Sequence, residues 1–541
     1  MPALHAIILR KCSQKTVTKA AIRGMSSLLA AVLLTASSAY GCTELPAGSR
    51  FWIRLTSPVS SYNAKPGTPV RGFLLESPLC DNATAFPIRT EVEGHVRSAH
   101  RVGLGLWHET AAIDLDFDRI ALADGSVINI HGRVQEIDNA REQVKKGVIR
   151  GIRATDTLQG TISSRLKYMP SIHLYPDPFL LGYKMLFPVF PEAEICLEAG
   201  TDLEVALTAS APLPDNFASL RNSPAVEVMA HADHVAEGAT PDNPDLSDRQ
   251  VARDLSTMPD RTTTRQGKDA DVINLIFTGT RTELEMAFAT AGWLPSEHIS
   301  KTTVRHQIYA FLAKTDYSSA PMSAQLLAGK APDLTVEKTF DSYEKRDHLR
   351  IWSLPPDANG TELWASASVR ETGATLSVRH KGFMHHVSPD LAEAQHVVVR
   401  DLLAADCIAS LGSIARPDLD HVLLNATGEI FRTDGTLTVI HLKPCGTDYA
   451  GAGFSNRAQY QPANKVYRYA RKEILTVRSD LWRANILYAG YDLTRITVQA
   501  FRRNALHRAD MQSFRQGSQP PISPTTSADA RPPANANLSP D

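Results

Sequence analysis

Residues Ile113-Asp114-Leu115-Asp116-Phe117 alternate strictly between apolar and acidic side chains. A period of two puts the apolar members on one face of a strand and the carboxylates on the other. Asp114 and Asp116 share that second face and read as its solvated side. The rhythm extends outward in both directions. Val127-Ile128-Asn129-Ile130 follows an Asp124-Gly125-Ser126 turn, and Glu91 to Val96 alternates as well. Phe51-Trp52-Ile53-Arg54-Leu55 and Val70-Arg71-Gly72-Phe73-Leu74-Leu75 are further short strands. Strands of this length, separated by turn signals at short intervals, predict an all-β barrel or sandwich over residues 43–212.

Two phrases in this region echo each other. Leu45-Pro46-Ala47-Gly48-Ser49 precedes the strand Phe51 to Thr56, and Leu197-Glu198-Ala199-Gly200-Thr201 precedes Leu203 to Thr208. The echo predicts that the first and last strands meet and close the domain. Residues 141–195 interrupt the pattern as an insertion. It opens basic with Arg141, Lys145, Lys146, Arg150 and Arg153, then turns apolar and aromatic from Phe179 to Phe190. Those aromatics read as core that plugs the barrel, or else as a flap that touches membrane or a partner.

Residues 213–270 are polar and turn-rich and read as a flexible linker, with a short helix over 224–237. A second folded unit spans 271–510. Val272 to Phe277 is a continuous apolar run. Thr280 and Glu283 have capping-box spacing, and Leu284, Ala287, Phe288 and Ala291 follow at helical spacing up to Gly292. A second helix is expected over 302–314 and two strands over His348 to Leu354 and Glu362 to Arg370. A later helix is expected from Ser388-Pro389, with Leu391, Ala394, Val398, Leu402 and Ala405 on one face. The fold class is therefore multidomain, an all-β domain followed by an α+β domain and a basic helical C-terminal segment. Residues 511–541, rich in Pro, Ser, Ala and Asn, read as a disordered tail.

The first 41 residues carry the marks of a secretory signal peptide. Arg10, Lys11, Lys15, Lys19 and Arg23 form a basic region, and Leu28 to Leu34 is a short apolar run before small residues. An exported protein is expected, periplasmic or envelope-associated. Cys42 follows the small residues directly and is the candidate for lipidation, although Ala39 stands where a lipobox has Leu. Loss of Cys12 with the signal leaves an odd number of cysteines. If Cys42 carries lipid, Cys80 with Cys196 and Cys407 with Cys445 are the natural pairs.

Two resemblances follow. Residues 45–135 resemble the β-barrel domain of bacterial conjugation and type IV secretion channel proteins, through Leu45 to Ser49, Ser60-Ser61, Phe86-Pro87-Ile88, Gly94 and Asp124-Gly125. Residues 271–410 resemble the LssY C-terminal domain family of bacterial envelope proteins. The matching phrases are Asn274 to Thr280, Ala291-Gly292-Trp293, Arg346 to Trp352, Leu363-Trp364, Lys381 to Asp390 and Arg400-Asp401-Leu402. The chain departs from that pattern over Ala392 to Gln395, where an acidic residue and a Glu-Arg pair are expected. Glu393 is present, but Gln395 replaces the basic residue. The resemblance implies an envelope protein linked to secretion.

The best constellation for chemistry is His348, Arg350, His385, His386 and Ser388. His348 and Arg350 share a strand face, and His386 lies just before an expected helix N-terminus, where backbone N–H groups favour anions. These residues are the anion-binding candidates, and His348, Arg350 and His386 the catalytic ones. The bland reading pairs His348 and Arg350 with nearby carboxylates for structure. No Cys/His zinc spacing, P-loop, GxSxG or HExxH pattern occurs, so neither metal nor cofactor is expected.

Charge is segregated. The chain has 57 basic and 58 acidic residues, yet residues 457–508 carry a net +8 with Tyr460, Tyr467, Trp482 and Phe501 interleaved. After an export signal, the expected target is an anionic membrane surface or an acidic envelope partner, not nucleic acid. The bland alternative is a packing helix with solvated arginines. The overall expectation is a binding or scaffolding component of the envelope. The alternative is a hydrolase-like enzyme acting on an anionic envelope lipid or phosphorylated glycan.

Overall fold

The computed structural model describes residues 43–153, 192–214, 258–446 and 464–482, apart from positions 81, 82, 106, 107, 123, 341 and 378–381, together with residue 255 and isolated positions between 494 and 505. The expected signal peptide, Cys42, the aromatic part of the insertion, most of the linker and the C-terminal tail lie outside the described residues.

Six strands form the N-terminal body: β1 (Arg50–Leu55), β2 (Pro69–Glu76), β3 (Glu91–His100), β4 (Ala112–Ala121), β5 (Val127–Ile137) and β6 (Asp202–Leu207). Each pairs antiparallel with the next, and β6 returns to pair with β1. The sheet is closed, so the barrel alternative of the sequence reading holds. Closure removes unpaired edges. Inward-facing Phe51, Ile53, Val92, Val96, Leu115, Phe117, Val134 and Val205 fill the interior.

The sequence echo is a structural one. Gly48 N–H donates to the Leu207 carbonyl at 2.8 Å, and Gly200 N–H donates to the Leu55 carbonyl at 2.7 Å. Each phrase thus caps the last residue of the strand that belongs to the other. Both glycines hold positive φ, near +90° and +100°, which side chains other than glycine rarely adopt.

The second body is built on an eight-stranded sheet. Its main elements are β7 (Leu275–Thr278), α1 (Arg281–Thr290), α2 (Lys301–Ala313), β8 (Leu334–Thr339), β9 (Arg346–Ser353), β10 (Leu363–Ser377), β11 (Gly382–Val387), α3 (Leu391–Ala404), β12 (Ile408–Ala415) and β15 (Thr436–Leu442), with the small hairpin β13 (Val422–Leu424) and β14 (Ile430–Arg432) before β15. Spatially the order runs β8, β9, β10, β7, β15, β12, and β11 pairs with β10. The β7–β15 pair is parallel; the other pairs in this sheet are antiparallel.

Helix α1 starts where the sequence says. Thr280 and Glu283 make the reciprocal capping box, and Leu284, Ala287 and Phe288 are buried. Together with α3 it packs on the face that carries Phe277, Leu349 and Ile351. Phe73 of the barrel packs against this same cluster.

Three local expectations change. The end of the expected linker is folded, because Arg261–Thr264 and Asp269–Val272 are strands that pair antiparallel. The apolar run from Val272 is not one strand, because Asn274 breaks it. Its side chain donates to the Ser368 carbonyl at 3.0 Å and accepts from Ser368 N–H at 2.9 Å. The helix expected at Ser388 begins at Leu391, with Asp390 as its N-cap. Pro389 keeps the residue before it extended, so the chain cannot turn helical earlier. Ser388 instead donates to Glu393 at 2.7 Å.

Candidate functional site

Strand β9 reads Arg346-Asp347-His348-Leu349-Arg350, and all five residues are buried. Strand geometry separates them onto two faces. Each face has its own network.

Arg346, His348 and Arg350 share the first face. Arg346 bonds Glu337 on β8 at 2.8 Å and Glu371 on β10 at 2.6 Å. His348 Nδ1 lies 3.4 Å from Glu371, and His385 Nδ1 on β11 lies 2.8 Å from the same carboxylate. Tyr343 O–H closes the group against His385 Nε2 at 2.8 Å. Arg350 points at Asp271 at 2.8 Å and reaches the Ser323 carbonyl as well. Burial, then the Arg350 charge, pushes His348 well below the usual histidine range, so its ring stays neutral. Burial alone would raise Glu371, but Arg346 and His385 hold it well below the carboxylate range. Glu337 goes the other way. Burial outweighs Arg346 and lifts it to about 8.

His386 sits elsewhere. Its Nδ1 lies 3.0 Å from Glu429 and its Nε2 3.2 Å from Thr375. It stands on β11 with Val387, Ser388, Pro389 and the Asp390 cap between it and α3, not beside the helix terminus. The anion-binding candidates therefore divide into a buried set, His348, Arg350 and His385, and the separate His386 and Ser388. His348 and Arg350 take the structural pairing weighed as the bland reading, with partners from β10 and from Asp271 rather than from Asp347 or Asp390.

The second face carries the junction between the two bodies. Arg54 of β1 grips Asp202 of β6 with two bonds of 2.7 and 2.8 Å, and reaches Asp401 of α3 at 2.7 Å. Asp401 also accepts from Lys338 at 2.6 Å and from the indole N–H of Trp293 at 3.0 Å. Arg400 extends the network to Asp202 at 3.0 Å and Glu76 at 3.2 Å, with its guanidinium 5.5 Å from the Trp52 ring centre. A second knot joins Asp138 of the barrel to Arg370 and Lys345. Arg370 also lies 3.4 Å from Asp347 and 3.1 Å from Glu393.

Arg54, Asp138, Asp202, Asp347, Arg370, Arg400 and Asp401 are almost wholly removed from water, which makes pairing obligatory. Burial works to raise Asp401, but Arg54, Lys338 and Arg400 hold it far below the usual range. Asp138 is held down against burial by Arg370, Lys345 and Arg400. Asp347 is the exception. Burial carries it to about 7 despite Arg370, with Asp138 and Asp401 adding repulsion. Its Oδ1 has no hydrogen-bond partner among the described residues.

Beside the junction opens a cleft of about 540 Å³, lined by Arg54 and Thr201 of the barrel and by Ala291, Leu294, Lys338 and Phe340 of the second body. At the departure from the family pattern, Gln395 is buried and donates to the Asn274 carbonyl at 2.7 Å and to Thr438 at 3.3 Å. A neutral side chain suits that position, since Arg370 already supplies a cation to Glu393.

The basic C-terminal segment contributes α4 (Lys465–Trp482), which returns to the barrel. Arg471, Leu475 and Arg478 fall on one helical face. Leu475 enters the barrel core, Arg471 pairs with buried Glu194, and Arg478 bonds the backbone carbonyls of Gly103 and Gly105. Val466, Tyr467 and Ile474 remain exposed. No described helix is long and apolar enough to cross a membrane.

Cys407 and Cys445 form a disulfide across 38 residues. Cys196 Sγ lies 3.8 Å from Glu198 Oε1. The Cys80 side chain lies outside the described residues, as does Cys42.

With this geometry in view, the family model described as LssY C-terminus matches residues 255–437, the body that holds β9 and its two networks. The resemblance read from Arg346 to Trp352 and its companion phrases is borne out for this part of the chain. Among solved structures, the chain is similar to ComB10 of the Com type IV secretion system of Helicobacter pylori, at 10% identity and a TM-score of 0.19, over 32% of this chain and 94% of that one. That likeness, a counterpart to the resemblance of residues 45–135, is too slight to bear on fold or function. No curated protein matches the chain.

Proposed function

We propose that this protein is exported and serves in the bacterial cell envelope as a binding or scaffolding component. The observation that carries the reading is the junction. Arg54, Asp138 and Asp202 of the barrel are spent on Asp401, Lys345, Arg370 and Arg400 of the second body. Charged groups neutralised within a rigid body hold shape; they are not poised over a substrate. The catalytic candidates His348, Arg350 and His386 do not converge on one open point. The basic leader before residue 42 supports export.

The exposed side of α4 supplies the binding surface in this reading. Arg471 and Arg478 are occupied by the barrel, which leaves Lys465 with Val466, Tyr467 and Ile474 facing outward. A basic and apolar helix face suits an anionic membrane surface.

Cell fractionation with sequencing of the mature N-terminus tests the location. Recovery in the envelope or periplasm, cut near residue 42, is expected; an uncut cytoplasmic chain overturns it. Pelleting with anionic vesicles tests the surface. Binding that weakens with salt is expected, and no pelleting at low salt removes the membrane from the account.

A further inference from the structure

The outer wall of the barrel holds a second polar group that the junction does not use. His95 on β3 stands directly opposite Asp116 on β4. The β3–β4 ladder slips between Glu93 and Gly94, and the β4–β5 ladder slips between Phe117 and Arg119. Asp118 is therefore skipped by both ladders. A bulge of this kind re-aims the side chain it carries. Here Asp118 leans back to His95, with Oδ2 2.7 Å from Nδ1. Gly94 lets the strands close up at this spot, since a Cβ there would stand 2.3 Å from the Asp116 carbonyl oxygen.

One ligand atom from each of His95, Asp116 and Asp118 lies within 4.8 Å of the other two. All three side chains are partly exposed. The basic residues nearby are engaged elsewhere. Arg133 bonds Asp114 at 2.6 Å, and Arg119 and Arg71 lie 3.7 and 4.0 Å from Glu93. The Asp116 carboxylate has no hydrogen bond or ion pair among the described residues. Arg133 stands opposite Asp116 in the β4–β5 ladder, yet its guanidinium goes to Asp114, so the Asp116 carboxylate beside the His–Asp pair keeps free lone pairs.

We propose that His95, Asp116 and Asp118 form a binding site for a divalent transition-metal ion, zinc being the best match. One imidazole nitrogen and two carboxylate oxygens are ligands that zinc accepts, and three protein ligands leave a position for water. Calcium asks for six to eight oxygens, more than this group provides. Small rotations bring ligand atoms within 4.8 Å to the separations set by metal bonds of about 2.0–2.2 Å. The His95–Asp118 hydrogen bond opens as the metal takes its place.

The test is calorimetric titration of zinc chloride into the chelator-treated full chain, with a metal count on the loaded protein. One zinc per chain is expected at this site. Asp116→Asn keeps the His95–Asp118 bond, hence the fold, and weakens binding by at least about tenfold; His95→Gln removes the imidazole ligand and weakens binding likewise. His131→Gln, an exposed histidine on neighbouring β5, leaves affinity unchanged. Cobalt(II) in place of zinc shows no thiolate charge-transfer band, which separates this site from the cysteines. Absence of zinc binding, or wild-type affinity in Asp116→Asn, overturns the proposal.

Discussion

The barrel interior and the β8–β10 region of the second body are both buried, and they are buried differently. Inside the barrel, Phe51, Leu115, Phe117 and Val205 exclude water with apolar surface; of the β4 carboxylates Asp116 and Asp118 are partly exposed, whereas Asp114, expected on the solvated side, is buried against Arg133. In the second body, β9 turns charged residues inward on both faces. The first arrangement tolerates imprecise neighbours, because dispersion and burial are not directional. The second tolerates none, because each buried ion needs its partner at hydrogen-bond distance. The difference explains why the junction fixes the two bodies in one relation, whereas an apolar contact such as Phe73 alone would not.

The sharpest way to break this contrast is to remove the hub of the junction. Asp401→Ala strands Arg54, Lys338 and Arg400 without their shared anion, and should cost about 3–5 kcal/mol in denaturant unfolding. Leu115→Ala in the barrel should cost about 2–5 kcal/mol, through a cavity and not through uncompensated charge. The two variants differ in kind as well. Asp401→Ala should split unfolding into two transitions as the bodies uncouple, and Leu115→Ala should keep one.

The next effect concerns pH. Glu337 stands at about 8 in the folded chain against an ordinary 4.5. Between those values the folded state holds a proton that the unfolded state has released. Its contribution to stability is therefore greatest in acid and declines as pH rises from about 4.5 to 8. The loss is on the order of a few kcal/mol. Glu337→Gln imitates the protonated form and should flatten this decline, read as the unfolding midpoint at pH 5 against pH 8. Asp347, at about 7, adds a decline of the same sign over a narrower window.

The smallest effect is expected outside both interiors. Arg71 and Arg119 reach Glu93 on the barrel surface. Glu93→Gln should change stability by less than about 0.5 kcal/mol, since exposed pairs are screened by water and salt. A larger loss would blur the line drawn between surface and junction charges.

Much of the architecture is legible in the sequence. Period two along Ile113 to Phe117, the repeated Leu-x-Ala-Gly phrase and the Thr280–Glu283 cap each act locally, so their meaning survives without tertiary knowledge. The junction is different. Arg54 looks like the solvated member of an alternating strand, but Ile53, Arg54 and Leu55 are all buried. Asp202 of β6 grips it within the barrel, and the approach of α3 from more than 300 residues away adds Asp401. A faint signal exists in α3, where Arg400-Asp401 adjoins Leu402 on a helix with little exposed face. Arg471 and Arg478 are similar, since their spacing around Leu475 marks one face, yet the pattern alone does not tell packing from membrane contact. The His95 group was missed because Asp116 pairs with a strand whose register is set by two bulges.

A double-mutant cycle between Arg54 and Asp401 tests the central claim, that buried ion pairs lock the barrel to the second body. Arg54→Ala, Asp401→Ala and the double variant are compared by denaturant unfolding. The account predicts a coupling energy of about 1.5 kcal/mol or more across the two bodies. Additive losses, with coupling below about 0.5 kcal/mol, would contradict it.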